Sequence, residues 1–129
     1  MLHRLEINFT PHLPQWQISA WLNSAPMIVE GTKITHVFYF EPSNQIEITF
    51  NGKDTTVNPD MYVGIETMFL DYVDITPVLK YAVYLTNHPD YPTIKPCTDI
   101  NLNGTWRLVF SELILRQQIT NYLGLKDAI

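Results

Sequence analysis

Apolar and polar positions alternate with a period of two along most of the chain. Leu5, Ile7 and Phe9 fall in one phase while Arg4, Glu6 and Asn8 fall in the other, the pattern of a strand with one buried face. The segment from Thr10 to Pro14 carries two prolines and ends this strand. Trp16, Ile18, Ala20 and Leu22 then alternate with Gln17, Ser19, Trp21 and Asn23, and Asn23-Ser24-Ala25-Pro26 has the composition of a turn. Met27 to Val29 is a short apolar piece closed by Glu30-Gly31. Ile34, His36, Phe38 and Phe40 alternate with Thr35, Val37 and Tyr39, after which Pro42-Ser43-Asn44 turns the chain into Ile46, Ile48 and Phe50. Asn51-Gly52 is the dipeptide that type I′ hairpin turns favour.

Beyond Lys53 the pattern loosens into a polar stretch, Asp54 to Asp60, followed by a longer run from Tyr62 to Ile75. Ile65, Thr67, Phe69, Asp71, Val73 and Ile75 share one phase there, and Glu66, Met68, Leu70, Tyr72 and Asp74 share the other. Neither phase is cleanly polar, which fits a strand partly buried on both faces or one with a bulge that swaps them. Val78 to Thr86 is rich in β-branched and aromatic residues and reads as a strand. Asn87 to Cys97 holds three of the nine prolines and reads as an irregular surface excursion. Asn103-Gly104 introduces a last strand with Trp106, Leu108 and Phe110 facing inward.

At the end the period changes. Leu115, Ile119, Tyr122 and Leu123 lie on one face of a helix over about 112–123, with Ser111 as its N-cap and Gly124 as its stop. The expected fold is therefore all-β: an antiparallel, jelly-roll-like β-sandwich of about seven to eight strands with one short C-terminal helix. With 129 residues it forms a single domain over 1–129.

Charge alters this picture. Asp, Glu, Lys and Arg supply only 16% of the chain, against about 25% in an average soluble domain. The outward phases are filled by Thr, Asn, Gln, Ser and aromatics rather than by Lys and Glu, the residues that keep a lone β-protein from edge-to-edge association. Part of the surface is thus expected to be covered by other protein. A formal net charge of −5 has the wrong sign for neutralising phosphates, so nucleic acid is not an expected partner. No run reaches the length of a membrane-spanning helix, and the start lacks the apolar core and cleavage site of a signal peptide. The single cysteine, Cys97, rules out an intrachain disulfide and a multi-cysteine zinc site.

Reactive constellations are thin. His3, His12, His36 and His88 show no metal-ligand spacing, and His36 lies in the apolar phase of its strand, as a packed or interface histidine would. No nucleophile elbow, phosphate loop or dinucleotide fingerprint occurs. Asp54 to Asp60 is the only loop with a composition suited to calcium, and its two carboxylates are too few to displace the reading of a solvated acidic loop. Asp71 and Asp74 are an odd number of residues apart, so on a regular strand they cannot form a catalytic pair. No catalytic, cofactor-binding or metal-binding residues are assigned, and the chain is not expected to be an enzyme. The informative residues are aromatics out of phase with the core. Trp21, Tyr39 and Tyr62 are candidates for an interface or for stacking on sugar rings.

Four segments taken together, Trp16-Gln-Ile-Ser-Ala-Trp-Leu-Asn23, Asn44-Gln-Ile-Glu-Ile-Thr-Phe-Asn-Gly-Lys53, Gly64-Ile-Glu-Thr-Met-Phe-Leu-Asp-Tyr-Val-Asp-Ile75 and Asn103-Gly-Thr-Trp-Arg-Leu-Val-Phe110, resemble small β-sandwich proteins of tailed bacteriophages, especially phages of cyanobacteria. Those sandwiches are in turn similar to carbohydrate-binding modules. The resemblance implies a virion structural protein made in the host cytoplasm: a capsid decoration or cement protein, or a neck, tail or baseplate module. Its expected partners are other virion proteins and further copies of itself. A carbohydrate-binding module using Trp21, Tyr39 and Tyr62 is the alternative. The loop after Lys53 is less acidic than in calcium-binding relatives, which speaks against a calcium-assisted sugar site.

Overall fold

A computed structural model describes residues 2–12, 14–52, 62–86, 88–94, 99–100 and 102–111. The expected C-terminal helix, the acidic loop at 54–60 and Cys97 lie outside these residues. The described chain is mostly strand and forms two antiparallel sheets in a sandwich-like arrangement.

The first sheet is built around β1 (Leu2–Phe9), with β5 (Lys33–Tyr39) on one side and β7 (Val63–Leu70) on the other. Beyond β5 lies the two-residue β4 (Val29–Glu30), and along the far side of β7 run β8 (Val73–Asp74) and β11 (Asp99–Ile100). The second sheet has the order β10 (Thr93–Ile94), β9 (Val83–Thr86), β12 (Gly104–Phe110), β6 (Asn44–Asn51), β2 (Gln17–Leu22) and β3 (Ala25–Met27). Among the described residues twelve short segments thus replace the expected seven or eight strands, because several loops pair briefly at sheet edges.

Alternation correctly separates the faces of the principal strands. Leu5, Ile7, Phe9, Ile34, Phe38, Met68 and Leu70 of the first sheet are buried against Ala20, Leu22, Ile46, Ile48, Phe50, Trp106, Leu108 and Phe110 of the second. Phe50 has no exposed surface and meets Phe9, Trp16 and Tyr84 edge-on, with ring centroids 6.1, 6.1 and 6.2 Å away. Such T-shaped contacts add to the energy of area burial, and the Phe9 contact ties one sheet to the other.

Local readings are refined at five places. First, β7 carries the bulge that was one of the two readings of its mixed phases: Phe9 faces Ile65 while Asn8 faces Thr67, leaving Glu66 as the extra residue. Val63 and Ile65 are buried before it, Met68 and Leu70 after it, so both apolar phases reach the core in turn. Second, the run from Tyr62 to Ile75 is not one strand, because Asp71-Tyr72 turns the chain between β7 and β8. Third, Thr76–Tyr81 is a 3-10 helix and only Val83–Thr86 is strand. Pro77 at its start withholds a ladder N–H, and Val78 and Leu79 bury their side chains from the helix instead. Fourth, Asn51-Gly52 does not close a hairpin onto the next strand. The neighbours of β6 are β2 and β12, and β7 belongs to the other sheet. Gly52 is glycine for a different reason: its φ is +97°, and a Cβ would lie 2.0 Å from the Gln15 carbonyl oxygen. The excursion over 87–97 is not wholly irregular either, since Thr93 and Ile94 pair with Leu85 and Tyr84.

Candidate functional site

The outer face of the first sheet is built from the polar phase of β1 and its neighbours. Leu2 lies opposite Tyr39, and Arg4 opposite Val37. Both are pairs without mutual backbone hydrogen bonds, where facing side chains come closest. Tyr72 joins from the other side, its ring under the Arg4 guanidinium at 4.7 Å. Leu2, Val37, Tyr39 and Tyr72 are all exposed, Tyr39 by 63% and Tyr72 by 76%. Four apolar or aromatic side chains therefore lie around Arg4 on one sheet face.

A strained turn presents Tyr72. Asp71 and Tyr72 have φ of 50° and 67°, as a two-residue hairpin turn of the primed type requires, and a bulky tyrosine is an uncommon occupant of that region. Asp71 holds the turn from its own side chain. One carboxylate oxygen accepts the Arg4 backbone N–H at 2.8 Å, and the other lies 2.7 Å from His3 Nδ1. Partial desolvation pulls the Asp71 carboxyl upward, and these bonds together with the His3 charge outweigh it, leaving the group below its ordinary range. The His3 ring packs against Phe40, centroids 4.1 Å apart.

Neighbouring Glu6 fixes Arg4. It accepts from Arg4 Nη2 at 3.1 Å and from Asn8 Nδ2 at 3.0 Å. The Asn8 amide holds its carboxyl below the usual range; burial opposes this, and Arg4 and Lys33 reinforce it. The guanidinium is thus held in place over the Tyr72 ring, a preorganised arrangement suited to a planar or aromatic partner group.

The three aromatics singled out from sequence do not share one surface. Tyr39 belongs to the patch just described. Tyr62 is exposed but precedes β7 at the opposite end of the sheet, next to the Phe9 end of β1. Trp21 is on the second sheet, half-buried between Glu47 and Pro26, and borders a recess of about 290 Å³ with Ser19, Pro26 and Val29. A stacking platform formed by all three is not assembled. Leu2 and Tyr72 are patch members that phase reasoning missed. Leu2 stands in the outward phase at the strand's start, and the signal for Tyr72 is the aspartate before it, a residue that tolerates left-handed backbone.

The remaining polar groups have structural surroundings. His36 is half-buried and stacked on Phe38, rings 13° from parallel, and burial lowers its pKa. Asp74 accepts the Thr76 backbone N–H at 2.8 Å rather than meeting Asp71. Among the described residues no three His, Cys, Asp or Glu side chains are grouped to hold a metal ion, and no helix is long and apolar enough to cross a membrane. Comparison with family models, with curated proteins and with solved structures finds no match.

Proposed function

We propose that this chain is a non-enzymatic assembly module that docks through the outer face of its first sheet. The observation that carries this reading is the exposed cluster of Leu2, Val37, Tyr39 and Tyr72 around the fixed Arg4. Tyr and Arg are the residues in which interface energy concentrates, and a turn that holds Tyr72 at positive φ to expose it fits strain retained for binding.

The sequence resemblance makes the specific form a phage virion structural protein, on the capsid surface or in the neck, tail or baseplate. The jelly-roll-like wiring belongs to this proposal. It is supported by a chain that passes between the sheets repeatedly, as from β5 to β6 and from β6 to β7. So does the amphipathic helix over 112–123, supported by its sequence period.

The test is retention of the purified protein on intact phage particles or on isolated capsid and tail proteins. Stoichiometric retention that is lost on Tyr39→Ala or Arg4→Ala is the expected result; no retention on any virion protein would overturn the virion reading. A carbohydrate-binding module is a second reading, favoured by the Trp21 recess alone. Retardation on polysaccharide resin that disappears in Trp21→Ala would put it ahead.

A further inference from the structure

Among the described residues, the edge of the first sheet at β5 is open beyond its short pairing with β4. In the β1–β5 pairing, Phe9 N–H donates to the Thr32 carbonyl at 2.8 Å, so the hydrogen-bonded pairs are Ile7–Ile34, Leu5–His36 and His3–Phe38. The N–H and C=O groups of Lys33, Thr35, Val37 and Tyr39 consequently point away from β1. Lys33 is used by β4, which pairs with β5 only at Lys33 and Ile34. From Thr35 to Tyr39 no strand pairs with the outer side of β5 among the described residues.

Among the described residues this stretch lacks the usual side-chain protections of an edge. Ile34 to Phe40 contains no Lys, Arg, Asp, Glu or Pro, whereas exposed edges are normally blunted by charge, proline or bulges. The other outer strands among the described residues, β3, β4, β8, β10 and β11, are only two or three residues long, and β3 contains Pro26. Among the described residues, Thr35–Tyr39 is a five-residue stretch of sheet edge without charge or proline, and it borders the exposed aromatic patch.

We propose that a second copy of the chain pairs with this edge, β5 against β5 and antiparallel, across a two-fold axis at Val37. It deepens the assembly reading by naming one partner. The register follows from the backbone. Antiparallel self-pairing centred on Val37 sets Thr35 opposite Tyr39 of the second copy and Val37 opposite Val37. All three facing pairs consist of residues whose amides already point outward, giving two bonds each and about six in all. β4 stops the pairing at Ile34 on one side, and the dyad imposes the same limit on the other, so the five-residue window is filled and no more. The facing side chains, Thr with Tyr and Val with Val, are favourable cross-strand pairs without like charges.

Side-chain space agrees with this register. Where β4 leaves β5, a recess of about 360 Å³ is lined by Ile28, Glu30, Lys33 and Thr35, and Ile28 at its rim is 71% exposed. Tyr39 of the second copy, opposite Thr35, stands beside that recess and can bury its ring against Ile28. Across the dyad the two outer patches become continuous through Val37 and Tyr39.

The decisive variant is Val37→Pro. The lost N–H is one that β1 does not use, so the ladder within each chain survives, while the central pair across the dyad is removed. The natural chain is expected to sediment at twice 15.0 kDa, with slow hydrogen exchange at the Thr35, Val37 and Tyr39 amides, for which the described residues supply no backbone acceptor. Val37→Pro is expected to weaken the dimer roughly a hundredfold, as two lost backbone bonds imply, and to free the Thr35 and Tyr39 amides while His36 and Phe38 stay protected. If the proline variant does not fold, Val37→Lys, which sets two cations face to face, serves in its place. A monomeric natural chain with fast exchange at these amides would overturn the pairing, as would a dimer that persists in a folded variant. A monomer still retained by virion proteins would overturn the pairing and leave the assembly reading standing; a β5-paired dimer retained by none would do the reverse for the virion reading.

Discussion

Asn23 donates its side-chain amide to the carboxamide oxygen of the fully buried Asn44 at 3.1 Å. The same Asn44 oxygen accepts the Glu41 backbone N–H, and its amide donates to the Glu41 carbonyl, both at 3.0 Å. Asn23 in turn accepts the Gln45 N–H at 2.8 Å. One side chain thereby satisfies the corner where β5 leaves the first sheet and β6 enters the second. Asn44→Ala orphans these groups and is expected to cost about 3 kcal/mol, measured by urea unfolding. A change under about 1 kcal/mol would show that water replaces the amide without penalty.

Tyr72→Gly separates stability from binding. Glycine relieves the left-handed tyrosine, worth roughly 1–2 kcal/mol, while the contact with Arg4 is lost, so net stability should stay within about 1 kcal/mol of the natural chain. Retention on the protein partner should fall sharply. A variant that binds as well as the natural chain would remove Tyr72 from the interface.

His36 makes stability depend on pH. Burial depresses its pKa below 6.5 in the folded chain, so between the folded value and 6.5 the unfolded chain binds more protons and stability rises with pH. The melting temperature should therefore be highest above about pH 6.5 and fall as pH drops through the folded pKa. His36→Phe should flatten this slope in the pH 5–7 range. An unchanged slope would assign the effect to another group.

Gly52→Ala meets both a positive φ and the Gln15 carbonyl. A loss of about 2 kcal/mol or more is expected in thermal or chemical unfolding, with circular dichroism unchanged at low temperature.

The faces of β1, β2, β5, β6 and β12 are legible in the chain because each lies in a two-layer packing where period two has a direct meaning. Pairing is not, since the order of strands rests on contacts far apart in sequence. Val78 and Leu79 show composition overruled: their β-branched and aliphatic chains satisfy the core equally well from a 3-10 turn, and Pro77 decides between the two. The candidate surface was half legible. Tyr39 stands out by phase alone, whereas Tyr72 belongs to the patch only because Asp71 reaches back to β1. Trp21 has the outward phase that alternation assigns, and its partial cover by β3 and β6 depends on pairing that phase cannot reveal. Edge exposure at Thr35–Tyr39 is likewise a property of where β4 turns aside.

The wiring of the sheets bears on synthesis. β1 is central in the first sheet and β12 is central in the second, so the earliest and latest of the described strands each hold a sheet together. On the ribosome, β1 and β5 can pair early, but β2 and β6 have no partner for the Trp106 flank until Phe110 has emerged. A nascent chain arrested before that point exposes Ile46, Ile48 and Phe50 on an unfinished sheet, and with so many long-range pairings the final step is cooperative and slow. Productive folding then depends on completing the chain before such surfaces meet one another in the crowded cell.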